Sequence, residues 1–277
     1  MRESTTLPDL RMVPTPKLIP HEDSDPKRVE RLGKRIWQAG VLKHPPIVTT
    51  IPGTDKYVVL DGANRSEAFT HLGIPHMVVQ HIRYGDPGIE LETWHHVVAG
   101  MPLHDFEEAL AHMPGLGLMP CSLEAAREAL SLEKAGAYIV SEKDVRMMAK
   151  TQAIADHIDM LCQIVSAYKG IADIYRASND VWEKQAPYYP GMIALVVFPK
   201  LTPADILAAA QNGVRLPSGI TRHIVPNRAL NINIPLHVLT SNWPVERKKE
   251  WLRNWVMEKM AENSIRYYSE STFSFDE

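Results

Sequence analysis

Residues 57–69, YVVLDGANRSEAF, constrain this chain more than any other stretch. A β-branched run ends in an acidic residue, a glycine permits close backbone approach, and helix-compatible residues follow at once. The first N–H groups of a helix have no partner inside it, so such a junction is suited to holding phosphate oxygens. Arg65 adds a fixed charge and planar donors, while Asp61 could hold a metal ion or orient a hydroxyl. The same residues also describe a plain strand-turn-helix in which Asp61 caps the helix and Arg65 is solvated, and spacing alone does not separate the two readings.

Around this junction the pattern alternates. Strands are expected at 45–50, 56–61 and 76–82, and helices at 26–39 and 65–72, closed by Gly40 and Gly73. Ser24 or Asp25 caps the first helix and Pro26 sits in its first turn. Beyond a polar stretch after residue 85, helices are expected near 104–112 and 123–130, with strands at 137–141 and 193–199. Apolar residues at helical spacing from Ile154 to Tyr175 predict one long core helix over 151–177. A helix capped by Thr202 and stopped by Gly213 follows, and a last helix covers 245–262. The expected class is α/β (α+β), with an alternating domain over 1–88 and a mixed α/β lobe over 89–277.

Composition removes several classes of function. With 277 residues, 45% of them hydrophobic, the chain can bury a sizeable core. Thirty Lys and Arg against 33 Asp and Glu leave a net charge of -3, without the basic excess of a protein whose main partner is nucleic acid. Two cysteines, Cys121 and Cys162, are too few for a disulfide scaffold or a cysteine-rich zinc site, and they fit a reducing compartment. No apolar run approaches membrane-spanning length and the first residues lack a hydrophobic signal core. The expectation is a cytoplasmic protein with no membrane and no nucleic-acid partner.

Three further segments carry candidate chemistry. In IPHED, Glu22 beside His21 stands between an extended segment and a helix start, where a carboxylate can be aimed as a general base or can simply complement the helix dipole. In ETWHH, Trp94, His95 and His96 can line a polar pocket, although no acidic or cysteine partner has zinc-ligand spacing. In PSGITRHIVPNRALNINIPL (217–236), Ser218, Thr221, Arg222, His223, Asn227 and Arg228 concentrate directional polar groups, and Thr221 with Arg222 could grip a carboxylate.

Taken in order, PHED, the helix ending at Gly40, PPIV and YVVLDGANRSEAFTHLGI resemble the N-terminal nucleotide-binding domain of the ParB/sulfiredoxin-like superfamily over roughly residues 10–85. His21-Glu22, Asp61-Gly62, Trp94-His95 and Thr221-Arg222-His223 extend the resemblance to the free L-serine kinases, which form O-phospho-L-serine. That resemblance implies Glu22 as catalytic base, an essential Asp61, and nucleotide phosphates on the turn Gly62, Ala63, Asn64 and Arg65. It implies a serine pocket of Trp94, His95, Thr221, Arg222 and His223 and ATP or ADP as donor; Mg²⁺ would help to neutralise the phosphoryl oxygens, with Asp61 holding either the serine hydroxyl or the metal. The cleft between the domains is the expected place of reaction. Relatives often carry histidines after the Asp-Gly; here Ala63 can offer a phosphate only its backbone N–H.

Other readings compete. A ParB-like nucleotide- and DNA-binding protein without kinase activity lacks support from charge or from a basic recognition helix. Sulfiredoxin chemistry requires a cysteine in the turn, and residues 61–65 hold none. A silent nucleotide binder is kept open by Ala63.

Overall fold

The architecture is that of a computed structural model, which describes residues 7–150 and 157–268. In chain order its first elements are β1 (Asp9–Pro14), β2 (Leu18–Pro20), α1 (Pro26–Ala39), β3 (Val41–Leu42), β4 (Ile47–Thr50), β5 (Tyr57–Asp61), α2 (Ala63–His71) and β6 (His76–His81). There follow β7 (Glu90–Thr93), β8 (His95–Ala99), α3 (Leu103–Ala111), β9 (Leu116–Cys121), α4 (Leu123–Ser131), β10 (Ala135–Val140) and β11 (Val145–Lys150). The remainder is α5 (His157–Ser166), β12 (Asp173–Ala177), α6 (Trp182–Gln185), β13 (Met192–Val197), α7 (Pro203–Asn212), β14 (Thr221–Ile224), β15 (Ile234–Pro235), α8 (Leu236–Thr240) and α9 (Val245–Ala261).

The chain forms two compact units. One comprises residues 1–19, 25–88 and 225–277, the other 20–24 and 89–224. A single boundary after residue 88 therefore does not describe the molecule. The reason is apolar burial: Ile232, Ile234, Leu236, Leu239 and Leu252 enter the same core as Val48, Val59, Phe69, Met77 and Val79. Each such aliphatic side chain removed from water contributes about 1.5–3 kcal/mol, which holds the C-terminal segment to the first unit.

The first unit is built on a five-stranded sheet of order β1-β6-β4-β5-β2, with β4 parallel to β6 and antiparallel to β5. Residues Met77 to His81 of β6 are all buried, the continuous pattern of a strand covered on both faces. Asp25 caps α1 by accepting from the N–H groups of Lys27 (2.9 Å) and Arg28 (3.2 Å), and Pro26 takes the first helical position. Val29, Gly33 and Ile36 form the buried stripe of α1, and Gly33 lies against Ala68 and Leu72. At the C-terminal end, β15 pairs with β3 and α9 packs on β1.

The second unit carries a six-stranded antiparallel sheet of order β12-β8-β13-β10-β11-β9 and a separate two-stranded ribbon of β7 and β14. Val97, Tyr138, Val140, Leu195 and Val197 fill the core on one side of the sheet. The helix expected over 151–177 is much shorter. Its first residues, 151–156, lie outside the described ones, α5 ends at Ser166, and Asp173 onward is strand. The Ser166 hydroxyl bonds back to the Cys162 carbonyl at 2.6 Å, and residues 173–177 pair in full register with Ala99 to His95. Ile171 and Tyr175, which continued the helical period, are exposed. Strands β9 and β11 were not legible in the sequence. None of the described helices is long and apolar enough to cross a membrane.

Candidate functional site

In the first unit the strand-turn-helix junction forms where the sequence predicts, and α2 starts at Ala63, two residues before the expected Arg65. Gly62 is the N-cap of α2 with φ +92°, a left-handed conformation that other residues adopt at a cost. A Cβ there would stand 2.9 Å from Arg65 Nη2 and 3.1 Å from the Pro46 Cα. Thus the Arg65 side chain folds back over the glycine, and only the absence of a side chain makes room for it. Among the described residues no side chain caps α2 at Gly62, so Asp61 is not the cap. The N–H groups of Arg65 and Ser66 both turn back to the Gly62 carbonyl at 3.0 Å, which leaves those of Ala63 and Asn64 at the open end of the helix.

Asn64 has a second task. Its Oδ1 accepts from the Asp25 N–H at 3.1 Å, tying the start of α2 to the cap of α1. Asp61 meets two guanidiniums: Arg65 Nη2 at 3.9 Å and a direct bond from Arg228 Nη2. Burial pushes the Asp61 carboxyl up, but the charges of Arg228 and Arg65, with bonds from Arg228 and the Gly62 N–H, outweigh it and hold the group below the usual carboxylate range. Arg228 in turn is bracketed by Gln80, a buried residue of β6. The Gln80 Oε1 accepts from the Ala229 N–H at 2.8 Å, and its Nε2 donates to the Asn227 carbonyl at 3.1 Å.

In the second unit the Glu22 carboxylate accepts three hydrogen bonds. It accepts from the Gly219 N–H at 2.8 Å through one oxygen, and from the Thr221 N–H at 2.8 Å and the Thr221 hydroxyl at 2.5 Å through the other. The segment is in place because His21 to Asp23 runs beside Leu216, whose N–H and carbonyl bond to His21 and Asp23. Since the Thr221 hydroxyl proton goes to Glu22, the hydroxyl oxygen accepts from His21 Nε2 at 2.9 Å, which fixes that tautomer. Gly219, with φ +83°, is another position where a side chain has no place: its Cβ would lie 2.7 Å from Arg176 Nε.

The residues expected to share one serine pocket divide between the two faces of the β7–β14 ribbon. Thr221 and His223 point one way, towards His21, whose ring stands edge-on to that of His223 at 5.5 Å. Arg222 points the other way, its guanidinium 4.5 Å above the Trp94 ring and 3.1 Å from Glu92, its cross-strand partner. His95 belongs to neither group: its Nδ1 accepts from the Phe198 N–H at 3.4 Å. Burial lowers the His95 pKa to about 4, so the ring is neutral near pH 7. The neighbouring His96 is also lowered by burial to about 4, and its Nδ1 meets the Tyr168 hydroxyl at 2.9 Å.

Three functional partners were missed. Glu92 lies opposite Arg222 in the ribbon, a pairing that requires the register. Arg228 was noted only as part of a polar segment, and its contact with Asp61 spans 167 residues. Gln80 left a signal: it is a lone amide in the apolar strand HMVVQH. For Mg²⁺, no group of three His, Cys, Asp or Glu among the described residues could form a cage. Asp61 alone fits the way Mg²⁺ usually binds, through one or two carboxylates plus substrate phosphates.

No family model matches the chain. An ATP-dependent L-serine kinase, SbnI of Staphylococcus aureus (strain NCTC 8325 / PS 47), is 25% identical over 265 residues, covering 95% of this chain and 96% of the relative. Along nearly its whole length the chain is thus similar to free L-serine kinases. A second relative, the ADP-dependent L-serine kinase SerK of Thermococcus kodakarensis (strain ATCC BAA-918 / JCM 12380 / KOD1), is 21% identical over 231 residues, 80% of this chain and 90% of its own. The structure of SbnI with a C-terminal truncation superposes with a TM-score of 0.75 at 23% identity, covering 91% of this chain and 97% of that one. The likeness of fold therefore extends through both compact units.

Proposed function

We propose that the protein transfers a phosphoryl group from ATP or ADP to the hydroxyl of free L-serine, giving O-phospho-L-serine. The observation that carries this reading is the Glu22 carboxylate, held by two backbone N–H groups and the Thr221 hydroxyl in a chain related to serine kinases along its whole length. Phosphoryl transfer asks a protein mainly to position reactants and to neutralise charge on the phosphoryl oxygens.

Each unit supplies part of that work. In the second, Glu22 takes the serine hydroxyl proton through the oxygen that carries a single bond, from Gly219. The other oxygen, with two bonds, keeps the carboxylate from rotating away. Arg222, on the opposite face of the ribbon from Thr221, is held by Glu92 and the Trp94 ring and stiffens the strand that carries the Glu22 cradle. In the first unit the N–H groups of Ala63 and Asn64 and the Arg65 guanidinium receive donor phosphates. Mg²⁺ bound with the nucleotide would neutralise phosphoryl charge, with Asp61 as its protein oxygen. His95 serves the backbone of the second unit rather than substrate.

The test incubates the protein with L-serine, Mg²⁺ and either ATP or ADP, and reads O-phosphoserine by mass spectrometry. Product with one donor is expected. No product with either, while nucleotide still binds, overturns the proposal.

A further inference from the structure

The phosphate turn is poor in cationic side chains. Ala63 has no side-chain donor, Asn64 offers only its uncharged Nδ2 while its Oδ1 accepts from the Asp25 N–H, and Arg65 folds back over Gly62. A nucleoside polyphosphate carries several negative charges, which one guanidinium and a helix end meet only in part. We propose that Arg228 is a further phosphate-contacting residue of the donor site and that Gln80 is its positioning residue; this rests on the reading that the 62–65 turn receives nucleotide.

Three observations on different residues support it. Arg228 reaches Asp61 at the first residue before the turn, and 41% of its side chain stays exposed to an incoming ligand. Only one of its nitrogens meets the carboxylate, so the fork keeps further donors for a phosphate oxygen. Its backbone is fixed with unusual care. Gln80 is 3% exposed, and both ends of its amide are committed to the residues on either side of Arg228, Asn227 and Ala229. A surface ion pair made only to neutralise Asp61 gains little from its partners, and Arg65 already stands 3.9 Å away for that purpose. A buried amide clamp on the backbone is instead what holds a guanidinium to a chosen spot.

Charge points the same way. Two guanidiniums against one carboxylate leave the Asp61, Arg65 and Arg228 cluster with one net positive charge, suited to an anion.

Titration calorimetry of the full chain with ATP, ADP and AMP tests this. For Arg228→Gln, affinity for the donor that supports turnover should fall roughly 10- to 100-fold, while AMP, which lacks the terminal phosphate, changes by less than about threefold. Arg228→Lys, which keeps the charge but not the fork, should lie between. Gln80→Met should weaken donor binding in the same direction, and the double variant Q80M/R228Q should be no weaker than R228Q, because both act through one contact. Circular dichroism and thermal melting confirm folding; if R228Q is unfolded, R228K and Q80M carry the comparison. Equal losses for AMP and donor, unchanged donor affinity, or additive losses in the double variant overturn the assignment. If the wild type forms phosphoserine and R228Q binds donor normally, Arg228 alone is misassigned. If the selective loss appears without any phosphoserine, the kinase reading fails and Arg228 stands; no nucleotide binding by the wild type overturns both.

Discussion

Replacing Thr221 with Val removes one hydroxyl and little volume from the Glu22 cradle. Thr221 is 8% exposed, and its hydroxyl donates to Glu22 at 2.5 Å while accepting from His21 at 2.9 Å. The backbone N–H of residue 221 stays, so Glu22 retains two of its three bonds. A hydrogen bond to an ionised carboxylate contributes about 1.5–3 kcal/mol, and the stranded His21 N–H adds to the loss. If that energy orients the base, about 2 kcal/mol corresponds to a drop in kcat of roughly 30-fold. Initial rates of phosphoserine formation, at saturating donor and serine, measure it directly. Thr221→Ser restores the hydroxyl and should recover activity to within about threefold of wild type. An increased KM for serine with unchanged kcat would refute the reasoning, since it would mean that the hydroxyl touches substrate rather than the base.

Other consequences are equally open to measurement. Gly62→Ala places a Cβ 3.1 Å from the Pro46 backbone at φ +92°, which costs about 1–2 kcal/mol and displaces Arg65. Nucleotide affinity by calorimetry should fall about tenfold or more, and wild-type affinity would exclude the Arg65–Gly62 packing as a requirement. His96, lowered by burial from 6.5 to about 4, takes up its proton in the unfolded chain first. Its stability contribution is therefore complete above pH 6.5 and is lost as pH falls to about 4, by roughly 3 kcal/mol. Urea unfolding between pH 7 and 4 should show that decline together with the like one from His95, and His96→Gln should remove about half of the total. Asp180→Asn breaks a bidentate pair with Arg127 (2.8 and 2.9 Å) and the bond from Tyr138, and should lower the unfolding free energy by about 1–3 kcal/mol. An unchanged denaturation midpoint would show that the triad is only decorative.

What could be read from the sequence was local. The caps of α1 and α7, the turn at Gly62 and the placement of Glu22 before a helix depend on residues within a few positions of one another. Long-range pairing was not legible. Nothing near Arg228 announces Asp61, and nothing in 217–236 tells that the ribbon puts Thr221 and Arg222 on opposite faces until Glu92 is known to oppose Arg222. The overlong helix at 151–177 failed for a related reason. Apolar spacing of three and four residues is shared by a helix and by a turn into a strand, and pairing with β8 decided between them.

The interleaving of the two units has a consequence for synthesis. Strand β6, with Met77, Val78 and Val79, leaves the ribosome long before Leu252, which shares its core. At about 5–20 residues per second, the 171 residues from His81 to Leu252 take roughly 9–35 s. During that interval the second unit can fold as a nearly continuous segment, whereas the first unit carries an unfinished apolar surface. Nascent chains stalled before residue 232 should therefore engage holding chaperones through the β6 region, and release should coincide with the arrival of α9.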